Sequence, residues 1–173
     1  MIIYLHGFRS GPESWKARSL RERMAAHGLA DAFWCEQLPV SARDAVALAE
    51  DGRLALSDPI SRWVPEMADM RVLVDAGGPL HNTVPAQRPI TVEDLMTHRS
   101  GLAYSFSVSG PISRAYAQVS LRQDADDWLA EISRLPLMHQ PGDRLTYSHS
   151  TAVLGIALSR IEGKPLQTVL SER

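Results

Sequence analysis

Three short stretches carry residue types able to move protons or attack a carbonyl: Tyr147-Ser148-His149, Thr97-His98-Arg99-Ser100-Gly101 and Leu5-His6-Gly7-Phe8. A serine becomes a nucleophile only when a base lies within hydrogen-bond reach and donors face the developing oxyanion. Ser100 or Ser148, paired with His98, His149 or His6, would meet the first need, with Tyr147 as a proton relay. His6-Gly7-Phe8 closes a β-rich apolar run, and a glycine at the carboxyl end of a strand lets backbone N–H groups approach an oxyanion. Each stretch also has a plainer reading. His-Gly after a strand is an ordinary turn, and Thr97 to Gly101 is a helix end whose polar side chains satisfy backbone groups. Tyr147 is equally a core phenol with a bonded hydroxyl.

Other clusters point away from metals and cofactors. His98, His139 and His149 match no standard ligand spacing, and Cys35 is the only cysteine, so no thiolate zinc site can be built from one chain. Cys35 sits in the apolar run Ala32-Phe33-Trp34-Cys35 and reads as a buried structural thiol. Asp124, Asp126 and Asp127 read as the charged N-terminus of a helix, because no loop glycine or bidentate glutamate follows at calcium-loop spacing. Neither a metal nor another cofactor is expected.

The 173 residues are 45% hydrophobic and 22% charged, the profile of a folded globular chain. Eighteen basic and twenty acidic side chains give a formal charge of -2 with no basic stripe, which argues against a nucleic-acid partner. Met1 to Leu5 is interrupted at once by His6-Gly7, so it offers neither a basic n-region nor an apolar h-region. No stretch approaches ~18 uninterrupted apolar residues. A soluble, cytoplasmic protein without a membrane partner is expected.

Several elements must position these side chains. Residues 2–6 predict a strand, Glu13 to His27 a helix ending at Gly28, Phe33 to Leu38 a second strand stopped by Pro39, and Ser41 to Glu50 a further helix. A β-α-β-α front end with parallel strands follows. From Asp58-Pro59 to Pro89 the chain is punctuated by proline and glycine, with one short strand over Arg71 to Asp75. Thr91-Val92-Glu93-Asp94 is a capping box opening a short helix that ends near Ser100-Gly101. Helical spacing returns at Ile112 to Leu121, Asp124 to Leu135 and Thr151 to Ile161, the last stopped by Gly163, with Pro165 opening a final helix. Arg144 to Tyr147 reads as a short extended piece.

Two resemblances meet on this chain. Met1-Ile-Ile-Tyr-Leu-His-Gly-Phe-Arg-Ser-Gly-Pro-Glu-Ser-Trp-Lys-Ala-Arg, followed by Cys35-Glu-Gln-Leu-Pro-Val-Ser, resembles the start of the YqiA-like esterases, which are α/β-hydrolases. That resemblance implies an oxyanion-hole role for His6, Gly7 and Phe8 and a later G-x-S-x-G elbow, which this sequence lacks. From Glu50-Asp-Gly-Arg-Leu-Ala-Leu-Ser-Asp-Pro onward, the markers are Arg88-Pro-Ile-Thr-Val-Glu-Asp-Leu-Met-Thr-His-Arg-Ser-Gly-Leu, Gln140-Pro-Gly-Asp-Arg-Leu-Thr-Tyr-Ser-His-Ser and Val153-Leu-Gly. These resemble the interior of the β-lactamase-related serine hydrolases, especially the esterases akin to class C β-lactamases. The resemblance implies that Tyr147 is the tyrosine that helps deprotonate the acylated serine. That serine belongs to an S-x-x-K motif, yet Lys16 and Lys164 are the only lysines, and Glu13 and Ile161 stand three residues before them. A counterpart of the family's third, strand-borne motif is missing as well.

The expected architecture is mixed α/β: a short β-α-β-α unit over residues 1–48, packed on a mainly helical, loop-rich part over residues 49–173, with the seam near Ala45 to Asp51. The expected activity is carboxylic-ester hydrolysis on short-chain, small-molecule esters through a rebuilt site. The competing readings are a non-catalytic fusion remnant and a small-molecule binding module. Both segments would leave apolar faces that longer folds cover, which predicts a homo-oligomer.

Overall fold

The computed structural model describes residues 2–3, 18–19, 22, 25–26, 33–34, 52–120 and 123–171. The chain divides into two units, Met1–Asp44 and Ala45–Arg173. His6, Gly7, Phe8, Cys35 and the helix expected over Ser41 to Glu50 lie outside the described residues.

In the first unit, β1 (Ile2–Ile3) and β2 (Phe33–Trp34) pair in parallel, with Ile2 opposite Phe33 and Ile3 opposite Trp34. Residues 18–19, 22 and 25–26 between them are helical. A parallel pair needs a crossover of a dozen residues or more, and a helix is the usual way to supply it.

Among the described residues of the second unit, two 3-10 turns, Ile60–Arg62 and Pro65–Met67, bury Ile60 and Met67. Next come β3 (Arg71–Leu73) and β4 (Thr83–Pro85), antiparallel, with Arg71 opposite Pro85, Val72 opposite Val84 and Leu73 opposite Thr83. β3 lies where the sequence placed a strand. β4 is a correction, hidden by the surrounding prolines. Pro85 is tolerated there because it ends an edge strand, where no ladder N–H is required. Leu137 adds a single bridge on the other side of β3: the Leu73 N–H donates to the Leu137 carbonyl at 2.9 Å, and the Leu137 N–H to the Arg71 carbonyl at 2.7 Å.

Among the described residues of this unit five helices follow: α1 (Val92–Met96), α2 (Gly110–Gln118), α3 (Ala125–Ile132), α4 (Ser150–Glu162) and α5 (Leu166–Ser171). The capping box at α1 is formed as expected. Thr91 Oγ1 accepts from the Asp94 N–H at 3.2 Å, and Asp94 accepts from the Thr91 N–H at 2.9 Å. Asp94 also binds Arg88 in a bidentate pair at 2.6 and 2.9 Å. Asp124 caps α3, accepting from the N–H groups of Asp126 and Asp127 at 3.0 and 2.9 Å, so that aspartate cluster works as a helix start. The Arg144 to Tyr147 segment forms no strand. Its backbone is held by a loop instead, as described below.

α4 is the spine. Val153, Leu154, Ala157 and Leu158 recur at helical spacing and are all buried, and α1 and α5 pack on this helix. A Cβ on Gly155 would meet Leu166 at 2.8 Å, so the missing side chain is what lets α5 approach this closely. Leu95, Leu102, Ile112, Leu129, Ile132 and Leu137 fill the same core. Arg160, near the end of α4, ties in the surrounding elements through Glu66 at 2.8 Å, Asp126 at 2.7 Å and the Trp63 carbonyl at 3.0 Å.

Candidate active site

α1 ends in a way that brings His98 into play. Thr97 closes the helix, and His98 takes φ 56, in the left-handed region. The Arg99 N–H reaches back to the Asp94 carbonyl at 2.7 Å and the His98 N–H to the Leu95 carbonyl at 3.3 Å. This nested pair is the Schellman ending, whose left-handed position is normally glycine. A side chain there costs roughly 1 kcal/mol. Among the described residues His98 is the only non-glycine with positive φ.

The segment from Met138 to Ser148 is laid along this loop. Met138 donates to the Gly101 carbonyl at 2.7 Å, Gly142 to the Arg99 carbonyl at 2.8 Å, and Thr146 to the His98 carbonyl at 2.8 Å. The Arg99 guanidinium also donates to the Gly142 carbonyl. These bonds explain why Arg144 to Tyr147 is ordered without a strand partner. Tyr147, Ser148 and His149 then enter α4 with their side chains in three different surroundings.

Tyr147 is 38% exposed. Its ring lies 4.8 Å from that of His98, 5.3 Å from Tyr104 and 6.2 Å from Phe106, all tilted, and Tyr104 stacks on Phe106 at 4.9 Å. Phe106 is itself mostly exposed. The result is an apolar wall at the surface with a phenol set into it.

Ser148 points inward. Its Oγ lies 3.3 Å from His98 Nδ1 and 2.8 Å from Ser150 Oγ, which is 2.8 Å from Ser100 Oγ. All three serines have 0% exposure, and the Leu102 N–H donates to Ser100 Oγ at 3.2 Å. A hydroxyl offers one donor and two acceptors, so a chain of this kind satisfies buried serines without water. The Ser148 N–H also donates to His98 Nδ1 at 3.3 Å. That nitrogen must therefore be unprotonated and the ring proton must sit on Nε2. Burial pushes the His98 pKa down, in keeping with a neutral ring.

His149 faces the other way, into a cage of Tyr104 at 4.1 Å, Trp128 at 5.3 Å and Tyr116 at 5.8 Å. Burial lowers its pKa to about 4, so it is uncharged at neutral pH. Burial raises the Tyr104 phenol to about 12 and raises Tyr116 further, while Tyr116 Oη accepts from the Ala103 N–H at 3.2 Å. A cleft of about 270 Å³ opens beside this cage, lined by Tyr104, Phe106, Tyr116, Val119 and His149 among others. Nothing that lines it carries a charge at neutral pH.

The five candidates His98, Ser100, Tyr147, Ser148 and His149 are thus gathered around one loop and one helix start. Ser100 and Ser148 are wholly buried, whereas Tyr147 is partly exposed. His139 stands apart from His98 and His149 in its bonding, with Nδ1 at 2.9 Å from the Gln140 carbonyl and Nε2 at 3.0 Å from Thr146 Oγ1. Among the described residues no group of three His, Cys, Asp or Glu side chains is placed to hold a metal. Sequence reasoning passed over Ser150, which links the two serines, and the aromatic pair Tyr104 and Phe106. The signals were present as S-x-S at 148–150 and as two aromatics spaced by one residue after Ser100-Gly101-Leu102.

Comparison with known proteins bears on both segments. Residues 1–53 match the model of an "Uncharacterised protein family (UPF0227)", and residues 40–173 match the model described as "Beta-lactamase". Protein Rv1367c of Mycobacterium tuberculosis (strain ATCC 25618 / H37Rv) is 57% identical over 135 residues, covering 78% of this chain and 34% of that protein. Esterase EstB of Burkholderia gladioli is 32% identical over 135 residues, covering 74% and 31%. Among solved structures, EstCE1, "a hydrolase with promiscuous acyltransferase activity", superposes with a TM-score of 0.63 at 26% identity, over 78% of this chain and 34% of its own. Simvastatin synthase (LovD) from Aspergillus terreus gives 0.58 at 26% identity, over 77% and 34%. The chain therefore spans about a third of the length of the relatives it matches. No described helix is long and apolar enough to cross a membrane. With the Tyr147 segment, the His98 loop and α4 all inside the matched region, the chain belongs to the beta-lactamase family over residues 40–173, joined to a UPF0227-like start.

Proposed function

We propose that this chain carries the tyrosine side of an acyl-transfer site for small carboxylic esters. The observation that supports it is the exposed Tyr147 phenol set into the wall of His98, Tyr104 and Phe106. A polar proton-transfer group at the edge of an apolar surface suits an uncharged ester, whose acyl or alcohol part packs on the rings while its carbonyl sits by the phenol. Relatives named as esterases and acyltransferases favour the same chemistry.

In this reading Tyr147 relays a proton in one concerted step: as the attacking oxygen bonds to the ester carbonyl carbon, its proton passes to Tyr147 Oη while the phenol hands its own proton to the departing alkoxide oxygen and the old C–O bond breaks, leaving an acyl group on the attacking oxygen and a neutral phenol. Ser100, Ser148 and Ser150 are wholly buried and S-x-x-K is absent, so the attacking hydroxyl is none of these three and is to be located by labelling. Those same two observations favour the second reading, a binding module that holds small apolar esters without turning them over.

The test is treatment of the purified protein with a fluorophosphonate, location of any adduct by mass spectrometry, and turnover of p-nitrophenyl acetate and butyrate. An adduct at one serine, with turnover that falls about 100-fold or more in Tyr147→Phe, is the expected result. No adduct and no turnover above a denatured control would sink the acyl-transfer reading and leave the binding module.

A further inference from the structure

We propose that His98 is the positioning residue for Tyr147, gripping the chain on both sides of it so that the phenol is held against the imidazole. The role in turnover rests on the acyl-transfer reading above; the grip itself does not.

Three contacts fall on three consecutive residues. The His98 carbonyl accepts from the Thr146 N–H at 2.8 Å, its ring lies 4.8 Å from that of Tyr147, and its Nδ1 accepts from the Ser148 N–H at 3.3 Å. Both backbone donors that flank Tyr147 therefore end on one residue. The ring of His98 is itself braced: Ser148 Oγ, Ser150 Oγ and Ser100 Oγ form a buried chain that returns to the loop from which His98 projects. The circuit joins the end of α1 to the start of α4, and Tyr147 sits on its outer rim.

The helix end alone does not call for this side chain. A left-handed residue closing α1 is satisfied most cheaply by glycine, which would preserve the Arg99 to Asp94 and His98 to Leu95 backbone bonds. A histidine kept in the left-handed region, where its Nδ1 and carbonyl both meet the Tyr147 segment, is strain retained for what the side chain touches. The donor at Ser148 also dictates the form of the ring: neutral, with the proton on Nε2.

The experiment compares wild type, His98→Gly and His98→Asn. Glycine removes the ring and relieves the backbone. Asparagine tolerates the left-handed region and places its Oδ1 near the position of Nδ1, but offers no ring to Tyr147. The readouts are the ¹⁵N tautomer pattern of His98, amide exchange at Thr146 and Ser148, the ring resonances of Tyr147, and the split of kcat against KM on p-nitrophenyl butyrate.

The expected result is an Nε2–H tautomer in wild type. His98→Gly should speed exchange at Ser148, shift the Tyr147 ring signals and lower kcat about 10-fold or more with little change in KM. His98→Asn should restore slow exchange at Ser148 without restoring the ring signals. Tyr147 ring signals and Ser148 exchange that stay unchanged in a folded His98→Gly protein would overturn the proposal, as would an Nδ1–H tautomer. If wild type turns over no ester but the exchange and ring changes occur, the grip stands and the acyl-transfer reading alone falls.

Discussion

The ends of α1 and α4 use the same backbone device for different purposes. α4 stops at Gly163, with φ 65, and the N–H of Lys164 returns to the Ser159 carbonyl at 3.2 Å. A Cβ placed on Gly163 would meet nothing within 4 Å. α1 stops at a left-handed His98 whose carbonyl and ring both engage the chain 48 to 50 residues away. At Gly163 the residue does no more than let the helix end, so the cheapest residue occupies it. At His98 the backbone cost is retained beside the one candidate group that faces solvent as a phenol.

The sharpest way to break that contrast is at Gly101, the second left-handed position of the His98 loop, with φ 87. A Cβ there would lie 2.5 Å from the His139 carbonyl oxygen and 3.0 Å from Leu137 Cβ. Gly101→Ala should cost about 3 to 4 kcal/mol in a urea melt, because both strain and backbone collision apply. A cost near 1 kcal/mol would show that the loop yields easily, and a loop that yields could not grip Tyr147.

Next in size is the acid sensitivity of His149, the histidine at the start of α4. Its folded pKa of about 4 lies below the ordinary value of 6.5, so between those values the unfolded chain binds more protons than the folded one. Stability is therefore full above about pH 6.5 and falls as pH drops toward 4. The loss from this group is up to roughly 3 kcal/mol. His98, also lowered by burial, adds in the same direction. Urea midpoints at pH 7.5 and 4.5 check this, and His149→Phe, which keeps a ring in the Tyr104, Tyr116 and Trp128 cage, should flatten the dependence. An equally steep fall in that variant would assign the acid sensitivity elsewhere.

The smallest effect is expected at Gly163. Gly163→Ala should cost about 1 kcal/mol from the left-handed backbone alone, and Gly163→Asn only a few tenths. Neither should alter the Tyr147 ring signals. A shift of those signals by either variant would mean that the two helix ends are coupled through α4, and that the contrast between them is one of degree.

Local chemistry was legible where it is decided within a few residues. The Thr91 and Asp94 capping box, the Asp124 cap, the stop at Gly163 and the strand at Arg71 follow from hydrogen-bonding groups and φ preferences close by in the chain. β4 was not legible, because Thr83 and Val84 are paired by Leu73 and Val72 and flanked by prolines that mask them. Nor was the placement of the extended piece Arg144 to Tyr147, whose Thr146 N–H goes to the His98 carbonyl of a distant loop.

By itself, the sequence determined that two family segments share one chain and that neither S-x-x-K nor G-x-S-x-G is present. Only the tertiary structure decided that of Tyr147, Ser148 and His149 the first faces outward, the second joins a buried serine chain and the third enters an aromatic cage. Burial and ring neighbours of consecutive residues are set by what α1, the 98–101 loop and α4 bring against them. Those contacts span about 50 residues of sequence, so no local pattern can encode them.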